Sequence, residues 1–385
     1  MASVRVGSVF GIPIKLGTSF LLVFPVMAFL IAGQVELTAE MLNRAFDTGI
    51  DPGPLTDGAM PWALGLAAAL GLFASVLLHE LGHSLVARHF GLDIEAITLW
   101  FLGGLAQFAE LPDDWRHELW ISVAGPVVSV ALGAVFYGAV VALPTGLPAL
   151  RFVAGYLAVL NVALAAFNML PGFPMDGGRV LRAVLSRDRP RLEATRIAAS
   201  VGKGFAVLLG IAGIFTFNIF WIAIAFFIFV AATGETRQVV VEAALEGLAV
   251  RDVMTPTAEL DTVSPDESLA ELLERMVRER HTGYPVVEGE ALVGIVTLED
   301  VQRVDPERRD ATLVGDVMST DLVTVTPDTA ATEALTALQR EDVGRVLVTD
   351  DDGLAGLVSR TDLMTVLEIA QTGRSRALTR RAVEQ

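Results

Sequence analysis

The chain has 385 residues, 53% of them hydrophobic, which is long enough for two or three folded units and too apolar for an ordinary soluble protein. Its formal charge of −17 is unevenly spread: residues 1–240 hold 16 acids and 14 bases, residues 241–385 hold 29 acids and 14 bases. The acidic C-terminal part excludes nucleic acid as its partner, because phosphate binding rests on Lys and Arg, and the absence of cysteine excludes disulfides and thiolate metal sites, so any zinc would rest on His, Asp, Glu or water.

Met1 to Pro13 lacks a basic stretch followed by a short apolar run and a small-residue cleavage site, so no removable signal is expected and the first apolar segment reads as a retained anchor. Apolar runs of about 20 residues predict six spans, near 17–33, 62–88, 119–143, 149–171, 196–213 and 216–233. Ile94 to Phe108 is rich in β-formers and interrupted by Gly103 and Gly104, which predicts a β-hairpin or re-entrant loop, tolerable at membrane depth only against protein or a wet cavity. Arg5, Lys15, Arg88, Arg116, the cluster Arg179, Arg182, Arg187, Arg189, Arg191, Arg196 and Lys203, and Arg237 all fall on one side of such a bilayer. The excess of bases there predicts a multi-pass protein of the cell membrane with both termini cytoplasmic.

Beyond Thr233 the pattern changes to alternating strands and helices and repeats itself. Asp252-Val253-Met254 recurs as Asp316-Val317-Met318, and Val263-Ser264-Pro265-Asp266 recurs as Val325-Thr326-Pro327-Asp328. Gly294-Ile295-Val296-Thr297 with Asp300 recurs as Gly356-Leu357-Val358-Ser359 with Asp362. The expected organisation is therefore an α-helical polytopic membrane domain over 1–233, a linker over 234–247, α/β repeats over 248–310 and 311–370, and a polar tail over 371–385.

One constellation carries chemistry. His79-Glu80-Leu81-Gly82-His83 lies near one end of the second span. On a helix, histidines four apart share a face and can reach one ion, with Glu80 beside its water. A chance match on a surface helix is the bland alternative, but ionisable groups inside an apolar span default to function. A catalytic zinc wants three protein ligands and an open position. The fourth span ends at the same depth in Asn168-Met169-Leu170-Pro171-Gly172-Phe173-Pro174-Met175-Asp176-Gly177-Gly178-Arg179, which offers Asp176. Alone, Asp176 would read as a turn residue before two glycines.

These two segments, with the opening Val6-Gly7-Ser8-Val9-Phe10-Gly11-Ile12-Pro13, resemble the site-2 protease family of intramembrane zinc metalloproteases. The resemblance implies His79, His83 and Asp176 as zinc ligands, Glu80 as the base that takes a proton from water, and Asn168 as a helper at the oxyanion or substrate backbone. It further implies cleavage of transmembrane protein segments in or near the lipid bilayer. Leu102-Gly103-Gly104 and Ala124-Gly125-Pro126 also match. Ser129 stands where many members have asparagine, and Met175 where leucine is commoner, with neither expected to touch the ligand set. A segment around 94–108 could hold an extended substrate by strand addition. His89 and His117 are expected at the membrane interface and His281 at the surface.

The doubled unit, over about 248–370, resembles a pair of CBS domains. That likeness implies an adenine nucleotide contacted by Thr297 and Asp300 and by Ser359 and Asp362, with Arg360 making the second half the better anion site. A role in homodimerisation or as a scaffold stands beside it. Two other readings of the whole chain are a CBS-regulated membrane transporter, which would thread polar residues through several spans, and a zinc-binding membrane protein without proteolysis, against which Glu80 argues.

Overall fold

The computed structural model describes residues 3–100, 103–108, 112, 114–289, 291–351 and 353–366, so the expected polar tail and Leu102 lie outside the described residues. The chain divides into two compact units, Met1–Arg237 and Gln238–Gln385.

The first unit opens with β1 (Ser3–Val9) and β2 (Ile12–Gly17), followed by α1 (Thr18–Ala32), α2 (Val35–Phe46), the short α3 (Gly53–Thr56) and α4 (Met60–His89). Then come β3 (Ile94–Trp100), β4 (Gly103–Phe108), α5 (Trp115–Ala142), α6 (Pro148–Asn168), α7 (Asp176–Ser186), α8 (Arg191–Phe215) and α9 (Ile219–Leu245). Helices α4, α5, α6, α8 and α9 are long and apolar enough to cross a bilayer, and α1 with α2 makes a sixth candidate bent by 67°. Many of their large apolar side chains face outward, among them Leu66, Val130, Leu208 and Phe226, as lipid-facing helices require.

The expected first span differs in detail. Helix α1 has 15 residues, a length of roughly 22 Å at 1.5 Å per residue, and the chain turns at Gly33-Gln34 into α2. The bend follows from composition: α2 buries Val35, Ala39 and Leu42 against Ile50, Leu55, Leu64 and Phe152, and leaves Glu36, Glu40 and Arg44 exposed, a pattern for an interface and not for a bilayer core.

The predicted hairpin over 94–108 is present as β3 and β4, but it belongs to a four-stranded sheet of order β1-β2-β3-β4. The β2–β3 pairing is parallel, with Ile14 opposite Ile97 and Leu16 opposite Leu99. This ladder ties the start of α1 and the end of α4 to the same side of the bundle, so α1 and α4 run in opposite senses. Small residues allow close helix approach: a Cβ on Gly65 would meet the Ala32 Cβ at 3.0 Å, and one on Gly82 would meet Val128 Cγ2 at 2.8 Å. A second departure lies at 234–245. This stretch was expected as linker, yet it continues α9, because Glu235 to Leu245 contains no proline and is built largely from helix formers.

In the second unit, β5 (Thr255–Pro256), α10 (Leu269–Glu279), β6 (Gly283–Glu288), β7 (Ala291–Thr297) and α11 (Leu298–Gln302) precede α12 (Val314–Val317), β8 (Thr324–Val325), α13 (Ala331–Arg340), β9 (Arg345–Asp350) and β10 (Gly353–Ser359). The two sheets run β5-β10-β9-β8 and β6-β7. The repeats exchange their leading segments. Val250 and Val253 of the first repeat pack among Ala331, Leu338, Val346 and Val358 of the second, while Val314 of the second packs among Leu269, Leu272, Tyr284 and Val296 of the first. The boundary at 310/311 therefore divides the sequence repeats but not the packing units. The exchange is symmetric at two glycines: a Cβ on Gly294 would fall 3.0 Å from Met318 Cγ, and one on Gly356 would fall 2.6 Å from the Thr255 carbonyl and 3.0 Å from Met254 Sδ. Gly356→Val is expected to destabilise this unit by about 1–3 kcal/mol through overpacking, read as a lower urea midpoint for loss of protease resistance between residues 250 and 360.

Candidate metal centre

The centre is assembled by α4, α5 and the start of α7. On α4, His79 and His83 lie one turn apart, 3% and 6% exposed, with ring centroids 4.8 Å apart. Asp176 begins α7. Its Oδ2 is 3.2 Å from His79 Nε2 and 3.2 Å from His83 Nε2, and the two Nε2 atoms are 3.1 Å apart. Asp176 reaches this depth because the loop before it folds tightly: a Cβ on Gly177 would fall 2.5 Å from the Met169 carbonyl, and one on Gly178 2.5 Å from Phe173 N. The two glycines are thus required for backbone approach, beyond the turn they suggested in sequence.

Helix α5 supplies the opposite wall through one stripe of residues spaced by four. His83 Nδ1–H donates to the Ile121 carbonyl at 2.7 Å, and His79 Nδ1 lies 2.9 Å from Ser129 Oγ. Each contact leaves the corresponding Nε2 turned to Asp176. Between them, Gly125 is the bare floor: a Cβ there would fall 2.6 Å from His83 Cε1 and 2.7 Å from His79 Nε2. Ser129 is fully buried and touches a proposed ligand directly, which corrects the expectation that it stood clear of the ligand set. Met175, the residue before Asp176, is buried.

Two imidazoles and one carboxylate with three donor atoms facing one point form a donor set suited to zinc. A tetrahedral ion bonded at about 2.0–2.2 Å needs donors roughly 3.3–3.6 Å apart, within a few tenths of an ångström of the spacing here. Among the described residues one other group, Asp261, Glu279 and His281, gathers three such side chains. It is largely exposed, and Glu279 already accepts bonds from Tyr284 and Arg278, so that group is an ordinary surface network.

The remaining sequence candidates divide. Glu80 is half-buried on α4 and packs against β4, where a Cβ on Gly104 would fall 2.9 Å from Glu80 Cδ and 3.0 Å from Oε1. Asn168 closes α6 half-buried, and among the described residues its amide makes no hydrogen bond. His117 stacks on Phe90 at 4.1 Å, and His89 and His281 are exposed. Arg182, one of the bases counted on the expected cytoplasmic side, is 2% exposed: its Nε donates to Glu118 Oε1 at 2.6 Å, and its guanidinium lies over the Phe173 ring at 4.8 Å. This buried pair links α7 to α5 beside the centre.

In the second unit, Thr297 and Ser359 each cap a helical turn. Thr297 Oγ1 donates to Asp300 Oδ2 at 2.7 Å, and Ser359 Oγ donates to Asp362 Oδ2 at 2.7 Å. Arg360 does not face that pair. Its guanidinium donates to the Leu338 carbonyl at 3.2 Å and pairs with Asp342 at 3.4 Å. A cation that does bridge the two repeats is Arg345, whose guanidinium donates to Thr282 Oγ1 at 2.6 Å and fills the space left by Gly283. Burial draws its pKa down against the opposing pull of the Asp362 carboxylate. The 62-residue offset that pairs Gly283 with Arg345 was the available clue.

The model of Peptidase family M50 matches residues 67–146 and 146–210, and that of the CBS domain matches 250–307 and 314–369. The chain is 35% identical over 375 residues to the zinc metalloprotease MJ0392 of Methanocaldococcus jannaschii, covering 96% of this chain and 97% of that one. It is 29% identical over 184 residues to the stage IV sporulation protein FB of Bacillus subtilis, over 46% of this chain and 62% of that one. The solved site-2 protease from Methanocaldococcus jannaschii is 34% identical and covers 61% of this chain and 95% of its own, with a TM-score of 0.43. The chain belongs to peptidase family M50, the site-2 protease family of membrane zinc metalloproteases, and carries a C-terminal pair of CBS domains.

Proposed function

We propose that His79, His83 and Asp176 hold the catalytic zinc ion of this metalloprotease, and that it hydrolyses peptide bonds in or near transmembrane segments of other membrane proteins. The observation that supports the reading best is the closed triangle of ligand atoms backed by Gly125. A zinc ion held by these three residues would supply Lewis acidity to the scissile carbonyl and to the attacking water. Glu80 takes one proton from the attacking water and delivers it to the amide nitrogen as the C–N bond breaks, so the hydroxyl ends on the new carboxyl and the proton on the new amine. Asn168 donates from its amide to the substrate carbonyl or backbone.

A substrate helix hides its carbonyls in its own hydrogen bonds and must unwind to be cut. Strand β4 ends the sheet, and its Gly104 lies on Glu80, so an extended segment added to that edge would pass the base. Gly103 has φ +139°, which a proline cannot adopt. Gly103→Pro is expected to lower cleavage of transmembrane substrates by more than about tenfold, and full activity would count against strand addition. The function itself is tested by incubating the purified protein in bilayers with single-span proteins, with and without a zinc chelator. Cleavage that zinc restores is expected; no cleavage of any such protein, or cleavage indifferent to chelation, would return the transporter and binding readings.

We also infer that the CBS pair binds an adenine nucleotide that regulates cleavage, with both termini cytoplasmic and the pair able to join two copies. Arg345 now stands ahead of Arg360 as the phosphate partner, beside Thr297, Asp300, Ser359 and Asp362. Titration of the full chain with AMP, ADP and ATP is expected to raise the melting temperature, and Arg345→Ala to remove the rise while Arg360→Ala keeps it. No shift with any nucleotide at any salt concentration would sink the inference.

A further inference from the structure

The β1–β2 hairpin combines features that the catalytic reading leaves unused. Every residue of β1 is exposed, including Val4 at 60%, Val6 at 57% and, at the turn, Phe10 at 65%. The register sorts the two faces. Val4 lies opposite Leu16 and Val9 opposite Ile12, on the same face as Ile12, which is buried with Leu81 and Ile97, and Ile14, which is buried opposite Ile97. Arg5 lies opposite Lys15 on the other face. The apolar face of the sheet thus continues past the body of the protein, and the basic face is its reverse.

Charge and backbone point the same way. In a chain of net charge −17, no acid precedes Glu36, and Lys15 is one of two lysines. Arg88, on the neighbouring end of α4, donates to the Phe10 carbonyl, which adds a third base to the hairpin at its turn. The acids Asp93 and Glu95 stand near β3, separated from β1 by β2. Phe10 and Gly11 have φ of +51° and +80°, a two-residue turn that asparagine and glycine fit best. A phenylalanine held in that conformation with its ring exposed is unfavourable in water twice over. Immediately after β2, Leu21 and Leu22 on α1 are also exposed, so the apolar face of the hairpin joins the lipid-facing surface.

We propose that the β1–β2 hairpin lies in the bilayer interface as an amphipathic membrane-docking element. Val4, Val9 and Phe10 enter the acyl boundary, while Arg5, Lys15 and Arg88 engage the phosphates of anionic phospholipids. Because β2 pairs with β3 and β3 with β4, lipid engagement steadies the sheet whose far edge stands at Glu80.

The absence of cysteine makes the test direct. The full chain, carrying a nitroxide at V4C, F10C, S8C or L22C, is reconstituted in phosphatidylcholine vesicles with or without phosphatidylglycerol, and collisions with oxygen and with a water-soluble nickel chelate are compared. With phosphatidylglycerol, labels at 4 and 10 should match the lipid-facing label at 22, and the label at 8, on the basic face, should remain open to nickel. Arg5→Glu with Lys15→Glu should return labels 4 and 10 to nickel access while label 22 stays in lipid, which shows the protein still inserted and folded. Nickel access at 4 and 10 in all vesicles would overturn the proposal, as would shielding from both reagents, the sign of a second copy covering the face. Equal depth without phosphatidylglycerol or in the charge-reversed variant would overturn the role of the headgroups.

Discussion

Glu80→Gln is expected to leave zinc bound and to lower peptide cleavage by about 10²–10⁴-fold, the usual contribution of a positioned general base. The amide keeps the shape of the side chain, and the space between α4 and the Gly104 backbone is filled as before, so the fold should not change. Glu80 is not one of the three residues whose donor atoms converge, which is why metal content should survive. What is lost is the capacity to accept a proton from water and return it to the leaving nitrogen. A drop in cleavage that tracks a drop in zinc would instead place Glu80 in a structural role, and undiminished cleavage would remove it from the mechanism.

Gly125→Ala is expected to abolish zinc binding and activity together, although it adds only one methyl group and changes no charge. The new carbon would fall 2.6 Å from His83 Cε1 and 2.7 Å from His79 Nε2, where the ligating edges of both rings stand. Neither ring can retreat without breaking the bond that aims it, since the Nδ1 atoms are tied to Ile121 and Ser129 on the same helix. Gly138→Ala is the matched control: it lies on the same helix with nothing within 4 Å of its Cβ position, and should change neither zinc nor stability adversely. Ser129→Ala should weaken zinc affinity by about 10–100-fold, the usual effect of losing the partner that orients a ligating histidine. Elemental analysis of the four purified proteins after dialysis reads all of these effects.

Much of the site was legible because its logic is local. The spacing of His79 and His83 follows from helical periodicity, and Asp176 follows from counting spans, since two helices running the same way end at one depth. Zero cysteines narrowed the donors further. The supporting partners were not legible, because they depend on helix rotation, which an almost uniformly apolar helix does not reveal. Nothing in α5 marks Ile121, Gly125 and Ser129 as one stripe until the histidines of α4 face it, 38 and 50 residues away in sequence at the two bonds. Likewise the pairing of Arg182 with Glu118 was hidden, because the two residues are 64 positions apart in sequence.

The fold shows the same division. Long apolar helices and the β3–β4 hairpin announce themselves by length and by β-formers around paired glycines. The parallel ladder joining β2 to β3 does not, because register between strands remote in sequence is set by tertiary packing. In the CBS pair the repeat was plain from its motifs, whereas the exchange of Val250 and Val314 between cores was hidden, since either repeat offers an equivalent valine at the same place.

The central claim, that His79, His83 and Asp176 hold a catalytic zinc ion, is tested most directly by zinc stoichiometry in the purified full-length protein and in His83→Ala. The account predicts about one zinc per chain in the wild type, as a single three-ligand site requires, and loss of nearly all of it in the variant. Wild-type protein that cleaves substrate without stoichiometric zinc, or a His83→Ala variant that keeps its zinc, would contradict it.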